Sequence, residues 1–183
     1  MDWKNHDYTR TKEMREKYIP FDRVDKFIDL RPDDTILDVG PGDGFYALSF
    51  SKEVPRGTVT AIDLNEDSVS EIKKAQETSN IKNLIVSQND ICKVTDFSPY
   101  SKIFFSNVFH DLNCRDRILN NMISTFMDKT RIIFIEFKKE STIGPPSDIK
   151  ISQEELKGIM KKHGFSFLKG EDLTEHYMQM YTI

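Results

Sequence analysis

Cysteine is nearly absent: the 183-residue chain has two, Cys92 and Cys114. Two thiols this far apart in sequence suggest neither a disulfide scaffold nor a zinc site, and no metal is expected. The expectation is a pair of buried free thiols in a reducing compartment. A basic surplus is missing as well. Lys plus Arg is 26 against 30 for Asp plus Glu, a net charge of −4, which argues against a surface built to grip nucleic acid. Lys-rich runs such as Lys161-Lys162 read as solvated helix faces. No apolar run approaches membrane-spanning length, and the polar stretch MDWKNHDYTRTKEMREKY lacks an apolar core for secretion. A soluble, cytoplasmic protein is therefore expected. Repeats, low-complexity tracts and linkers are also lacking, so residues 1–183 read as one domain with a core of ordinary size.

What the chain does have is alternation. The runs Thr35–Val39, Thr58–Ile62, Leu84–Val86, Lys102–Ser106 and Arg131–Phe137 read as strands. Helical spacing lies between them: Phe45–Glu53, then a helix capped by Asn65 with Val69, Ile72 and Ala75, then Arg115–Met127 with Ile118, Met122, Ile123 and Phe126 on one face. Gly144-Pro145-Pro146 forces a loop. Ser152 and Glu155 form a capping box that opens a helix, and Gly164 closes it. Phe165–Leu168 and Tyr177–Ile183 read as two further strands with no helix between them, hence an antiparallel pair. The expected fold is α/β: a doubly wound, mostly parallel seven-stranded sheet with an antiparallel last strand and helices on both faces. Residues 1–30 form a helical extension that packs through Tyr18, Phe21, Val24 and Phe27.

The stretch ILDVGPGDGFYALSF carries the ligand question. Its glycines follow the first strand, on the edge where open α/β sheets bind ligands, and allow a tight turn that a ligand can approach closely. A dinucleotide fingerprint needs its third glycine at position 45, which is Phe45. No Gly-Lys-Ser/Thr follows, so this is not a phosphate-binding P-loop.

Asp38-Val39-Gly40-Pro41-Gly42-Asp43-Gly44-Phe45, followed one βα unit later by Ala61-Ile62-Asp63-Leu64, resembles the class I S-adenosylmethionine-dependent methyltransferases. Their D-x-G-x-G-x-G is matched at Asp38, Gly40, Gly42 and Gly44, and their acidic residue after the second strand at Asp63. The resemblance implies S-adenosylmethionine as cofactor. Asp38 would serve its cationic end, and Pro41, Phe45 and the glycine backbone its methionine part. Asp63 and Leu64 would border the ribose, Asp90 and Ile91 the adenine, and Asn107 would lie near the transferred methyl. Asp90 has a plainer reading as a turn residue.

A general base is needed only if the acceptor loses a proton as it reacts. His110, whose unperturbed pKa is near neutrality, is the candidate, and its alternative is a packed, hydrogen-bonded histidine. Asp111 is a second candidate base or a helix cap. Glu136 ends the fifth strand, and Glu136-Phe137-Lys138-Lys139 with Gly144-Pro145-Pro146 resembles small bacterial and archaeal methyltransferases of unassigned substrate. That resemblance puts this loop and the N-terminal helix at the acceptor pocket, with Arg15 and Tyr18 as part of a lid; the alternative is that the extension only packs on the sheet. Glu136 and His110 are expected at the same pocket, and His176, at the start of the last strand, either lies near its opening or is structural. His6 and His163 read as surface residues.

No Asn/Asp-Pro-Pro-Tyr/Phe follows the fourth strand, no Pro-Cys pair marks a cytosine C5 enzyme, and two cysteines cannot supply arsenite methylation. These gaps favour a small-molecule acceptor over nucleic acid. Rival readings are a methyltransferase acting on protein or RNA, a non-catalytic S-adenosylmethionine-binding module, and, weakest, a nicotinamide-dependent oxidoreductase.

Overall fold

The computed structural model describes residues 15–127 and 129–183, which fall into two compact units divided between Asp90 and Ile91. The seven strands follow the order β3-β2-β1-β4-β5-β7-β6. The first unit holds α1 (Phe21–Ile28), β1 (Thr35–Val39), α2 (Phe45–Glu53), β2 (Thr58–Asp63), α3 (Glu66–Thr78) and β3 (Leu84–Gln88). β2 pairs parallel with both β1 and β3. Ile36 through Val39 are continuously buried, as a parallel strand covered on both faces requires. Asn65 caps α3 by accepting from the Asp67 N–H at 2.9 Å, which supplies one of the partners that a helix start lacks.

The extension belongs to this unit. Residues 15–18 are helical, α1 buries Val24, Phe27 and Ile28, and Phe21 packs against Phe50 with ring centroids 5.7 Å apart. The Tyr46 hydroxyl donates to the Ile19 carbonyl at 2.8 Å. His6 and the rest of residues 1–14 lie outside the described residues.

The second unit holds β4 (Lys102–Ser106), α4 (Arg115–Thr125), β5 (Arg131–Phe137), α5 (Gln153–Lys162), β6 (Ser166–Asp172) and β7 (His176–Thr182). β4 and β5 are parallel, and β7 runs antiparallel to both β5 and β6. The rings of Phe105, Phe109 and Phe134 fill its core, with centroids 4.8–5.5 Å apart. The capping box at Ser152 and Glu155 is present in both directions, and Gly164 takes the left-handed φ of +86° just past the α5 cap. β6 is the outermost strand, with a register shift between Phe167 and Lys169.

Three expectations are corrected. Cys92 and Cys114 are not free thiols but a disulfide, and both are half-buried. A short 3-10 turn, Ile91–Lys93, brings Cys92 to the start of α4, where the Asn121 amide also donates to the Val94 carbonyl at 3.1 Å. The fold thus closes a gap of 22 residues. Ile123 is 37% exposed, and Leu119 occupies the buried face of α4 instead. Phe167 and Leu168 lie in the strand expected there and are 46% and 43% exposed on the outermost strand of the sheet. His163 is not a surface side chain: it sits against Asp116 at 2.8 Å and Asn120 at 3.1 Å, linking the end of α5 to α4.

Candidate active site

In the first unit the turn after β1 is built on three left-handed glycines, with φ of +65° at Gly40, +59° at Gly42 and +80° at Gly44. Glycine holds such angles without the clash a Cβ brings. At Gly44 there is a second reason: a Cβ would lie 2.7 Å from Ile72 Cγ1, so the absent side chain lets α3 pack close. The turn is tied to the end of β2. Gly40 N–H donates to the Ile62 carbonyl at 2.9 Å and Gly42 N–H to Asp63 Oδ2 at 3.2 Å. Asp63 Oδ1 accepts from Asn65 N–H at 2.9 Å. Burial raises the Asp63 pKa while these N–H bonds oppose the rise. The Leu64 N–H also bonds this carboxylate; with about four acceptor positions, Asp63 can hold the turn and still accept from a ligand hydroxyl.

Asp38 is 1% exposed, and its Oδ2 has no hydrogen-bond partner. Burial pushes its pKa up to about 8, the nearby Arg15 guanidinium opposes the rise, and the charges of Asp63 and Asp43 add to it. Arg15 ion-pairs with Asp43 Oδ1 at 2.5 Å and lies over the rings of Phe45 at 5.4 Å and Tyr46 at 5.9 Å. It is therefore a neighbour of the glycine turn. Tyr18 is half-buried beneath the Lys17 ammonium, 4.9 Å from its ring. Pro41 is buried, Phe45 half-buried, and Leu64 63% exposed. The Asn89 N–H donates to the Asp63 carbonyl at 3.0 Å, which fixes the segment that carries Asp90. Ile91, 5% exposed, opens the second unit.

There, β7 starts beside the carboxyl end of β5, with Phe137 opposite His176 and Glu136 opposite Tyr177. Asn107, just past β4, has a left-handed φ of +54°, which asparagine tolerates better than most residues. Its N–H donates to the Ile135 carbonyl at 2.8 Å, and its Nδ2 lies 3.2 Å from His176 Nε2. His110 stands in a 3-10 turn, Phe109–Asp111. Its Nδ1 is 2.6 Å from Glu136 Oε2, and its backbone N–H donates to Oε1 at 3.3 Å. Both side chains are buried, and Asp111 Oδ2 lies 3.5 Å from His110 Nε2. Burial alone would lower the His110 pKa, but the Glu136 hydrogen bond and charge, together with Asp111, outweigh it and the net shift is upward. His176 goes the other way, to about 4, through burial and the positive charge of Lys150.

Among the described residues, the buried side-chain atoms left without a partner are Asp38 Oδ2, Asn107 Oδ1 and His176 Nδ1. Such orphans are rare in native proteins and call for an explanation. All three belong to residues that the sequence marked for ligand contact. The sequence reading missed Lys150, a 4%-exposed ammonium 5.7 Å from the Phe137 ring centroid. It lies outside every motif, and only the loop packing brings it to the site.

A family model described as a methyltransferase domain matches residues 30–182. The malonyl-[acyl-carrier protein] O-methyltransferase of Bacillus cereus is 29% identical over 106 residues, 58% of this chain and 38% of that one. The chain thus aligns with well under half the length of this curated relative. The crystal structure of an S-adenosylmethionine-dependent methyltransferase from Aquifex aeolicus superposes with a TM-score of 0.83 at 26% identity, covering 97% of this chain and 98% of that one. The [4+2]-cyclase SpnF shares the fold, with a TM-score of 0.74 at 14% identity over 88% of this chain and 79% of its own.

Proposed function

The chain belongs to the methyltransferase-domain family, and from that premise we propose that it moves a methyl group from S-adenosylmethionine to a small-molecule acceptor. The observation that carries this reading is the left-handed glycine turn, tied to Asp63 and set beside the unpartnered Oδ2 of Asp38. This donor set suits the cofactor. It offers an acid for an ammonium, acceptor oxygens for ribose hydroxyls and a turn without side chains for close approach. When bound, the sulfonium supplies an already activated methyl for in-line displacement.

As the resemblance implies, Asp38, Gly40, Pro41, Gly42, Gly44, Phe45, Asp63, Leu64, Asp90, Ile91 and Asn107 would contact the donor. The chain's own chemical task is then to position the acceptor and take its proton. Glu136 on Nδ1 holds the His110 ring so that Nε2 is the basic atom, and the 43%-exposed Asp111 side chain can yield its place there to an acceptor hydroxyl. The acidic net charge and the relative named for a malonyl acceptor support a small acceptor group rather than a nucleic acid.

Calorimetric titration with S-adenosylhomocysteine, with NAD as comparison, tests the donor. Micromolar binding of the first alone is expected, and Gly42→Val abolishes it without loss of far-ultraviolet circular dichroism. Folded, ligand-free protein that binds only NAD refutes the reading. Because SpnF puts a cyclase on this fold, methyl transfer is then followed directly with isotope-labelled donor over small-molecule, protein and RNA acceptors.

A further inference from the structure

Three basic side chains converge on one aromatic ring in the second unit. From the Phe137 centroid, the His176 ring is 4.3 Å away, the Lys150 ammonium 5.7 Å and the His110 ring 6.3 Å. His110 has its counter-charge in Glu136, whose two oxygens are both committed to it. Lys150 has none. It is 4% exposed, its ammonium donates to the Ser141 carbonyl at 2.6 Å, and no carboxylate of the described residues lies within 4.0 Å of it. The nearest acidic residue along that chain of contacts, Glu175, accepts from the Ser141 hydroxyl at 2.6 Å. Burying an ammonium without a counter-ion costs several kcal/mol, and a methionine would fill the same space without that penalty.

The orphans point the same way. If Asn107 donates to His176 Nε2, its Oδ1 and the His176 Nδ1–H stay unmatched. If the amide is turned over, its NH2 and an unprotonated Nδ1 do. Either assignment leaves a donor for a carboxylate oxygen, and one acceptor that a donor elsewhere on the same ligand would fill. The loop carrying Lys150 is seated on the same ring, since a Cβ on Gly144 would lie 2.7 Å from Phe137.

We propose that Lys150 and His176, gathered around the Phe137 ring, and Asn107 beside His176 bind a carboxylate of the methyl acceptor. The inference deepens the methyltransferase reading and rests on it for the word acceptor. A single unmatched positive charge suits a monoanion, and a phosphate dianion would leave a surplus negative charge in a buried place.

The probe is acetate, with acetamide as its neutral isostere and inorganic phosphate as the competing anion. Binding is followed by the NMR signals of the Lys150 and His176 side chains, with and without saturating S-adenosylhomocysteine. Acetate shifts both sets of signals and saturates in the millimolar range, acetamide and phosphate do not, and Lys150→Met loses the effect while Lys150→Arg keeps it. The proposal is overturned if acetate leaves the signals in place, if acetamide or phosphate acts as well as acetate, or if Lys150→Met binds as the wild type does. Should Lys150→Met not fold, the three probes on wild type and Lys150→Arg still decide. Failure to bind S-adenosylhomocysteine would strike the donor reading alone, because the acetate titration is read without it too.

Discussion

Replacing Asp38 with asparagine keeps the shape of a fully buried side chain and removes its proton. With a pKa near 8, about nine-tenths of Asp38 carboxyls hold a proton at pH 7, half at pH 8 and about a tenth at pH 9. An ammonium placed at the unpartnered Oδ2 favours the ionised form, so cofactor binding should release about 0.9 proton at pH 7 and about 0.1 at pH 9. Ionising the group at pH 7 costs about 1.4 kcal/mol, so affinity should gain roughly tenfold as the pH rises past 8. Calorimetry with S-adenosylhomocysteine, in buffers of different ionisation enthalpy, counts those protons directly. Asp38→Asn should bind more weakly by about 1.5–3 kcal/mol and release none of them. Proton release near zero in the wild type at pH 7, or unchanged release in the variant, would refute the placement of Asp38 against a cation. The ligand-free protein supplies an independent check. Between about pH 4 and 8 the folded state holds a proton that the unfolded chain has lost, so this group makes stability fall as pH rises. Asp38→Asn should therefore melt at a higher temperature than wild type at pH 8, with little difference near pH 4.

Glu136→Gln removes the partner that raises the His110 pKa and fixes its tautomer, so kcat should fall about 100-fold and the acidic limb of its pH profile should move to lower pH. A change in stability with an unmoved profile would leave the pair structural. The same pair stabilises the fold fully below the unfolded histidine pKa, about 6.5, and that share is lost as pH rises through the higher folded value. Reducing Cys92–Cys114 reopens a loop of 22 residues and should cost roughly 3 kcal/mol by loop-closure entropy. Denaturant titration with and without a thiol measures it, and coincident curves would refute a covalent tie.

What the sequence made legible was local. β1, β4 and β5 stand out because an apolar run ending at a glycine or polar turn needs no distant partner to be recognised. The caps at Asn65 and Ser152 are visible for the same reason: donor and acceptor lie within three residues. The glycine turn and Asp63 stand out because the first two βα units keep them in fixed order. The non-local pairings were hidden. His110, Glu136, Asn107 and His176 each stood out singly. The bond His110–Glu136 exists because β5 pairs beside β4, and Asn107–His176 because β7 inserts between β5 and β6; spacing along the chain carries no trace of either. Lys150 is one lysine among many until the loop over Phe137 buries it. The disulfide is hidden because separation along the chain does not give separation in space.

The outer strand β6 has a consequence for how this protein behaves in crowded solution. Its outer edge, paired with no strand among the described residues, is a row of backbone groups of the kind that templates strand addition from another molecule. The register shift after Phe167 bends that row, and Lys169, Glu171 and Asp172 place charge along it, while Gly170 offers no side chain to stack. Exposed Phe167 and Leu168 are thus confined to the first few residues of an edge that is hard to extend into a fibril. The strand gives up burial, and in return it closes the sheet order with an edge that resists addition.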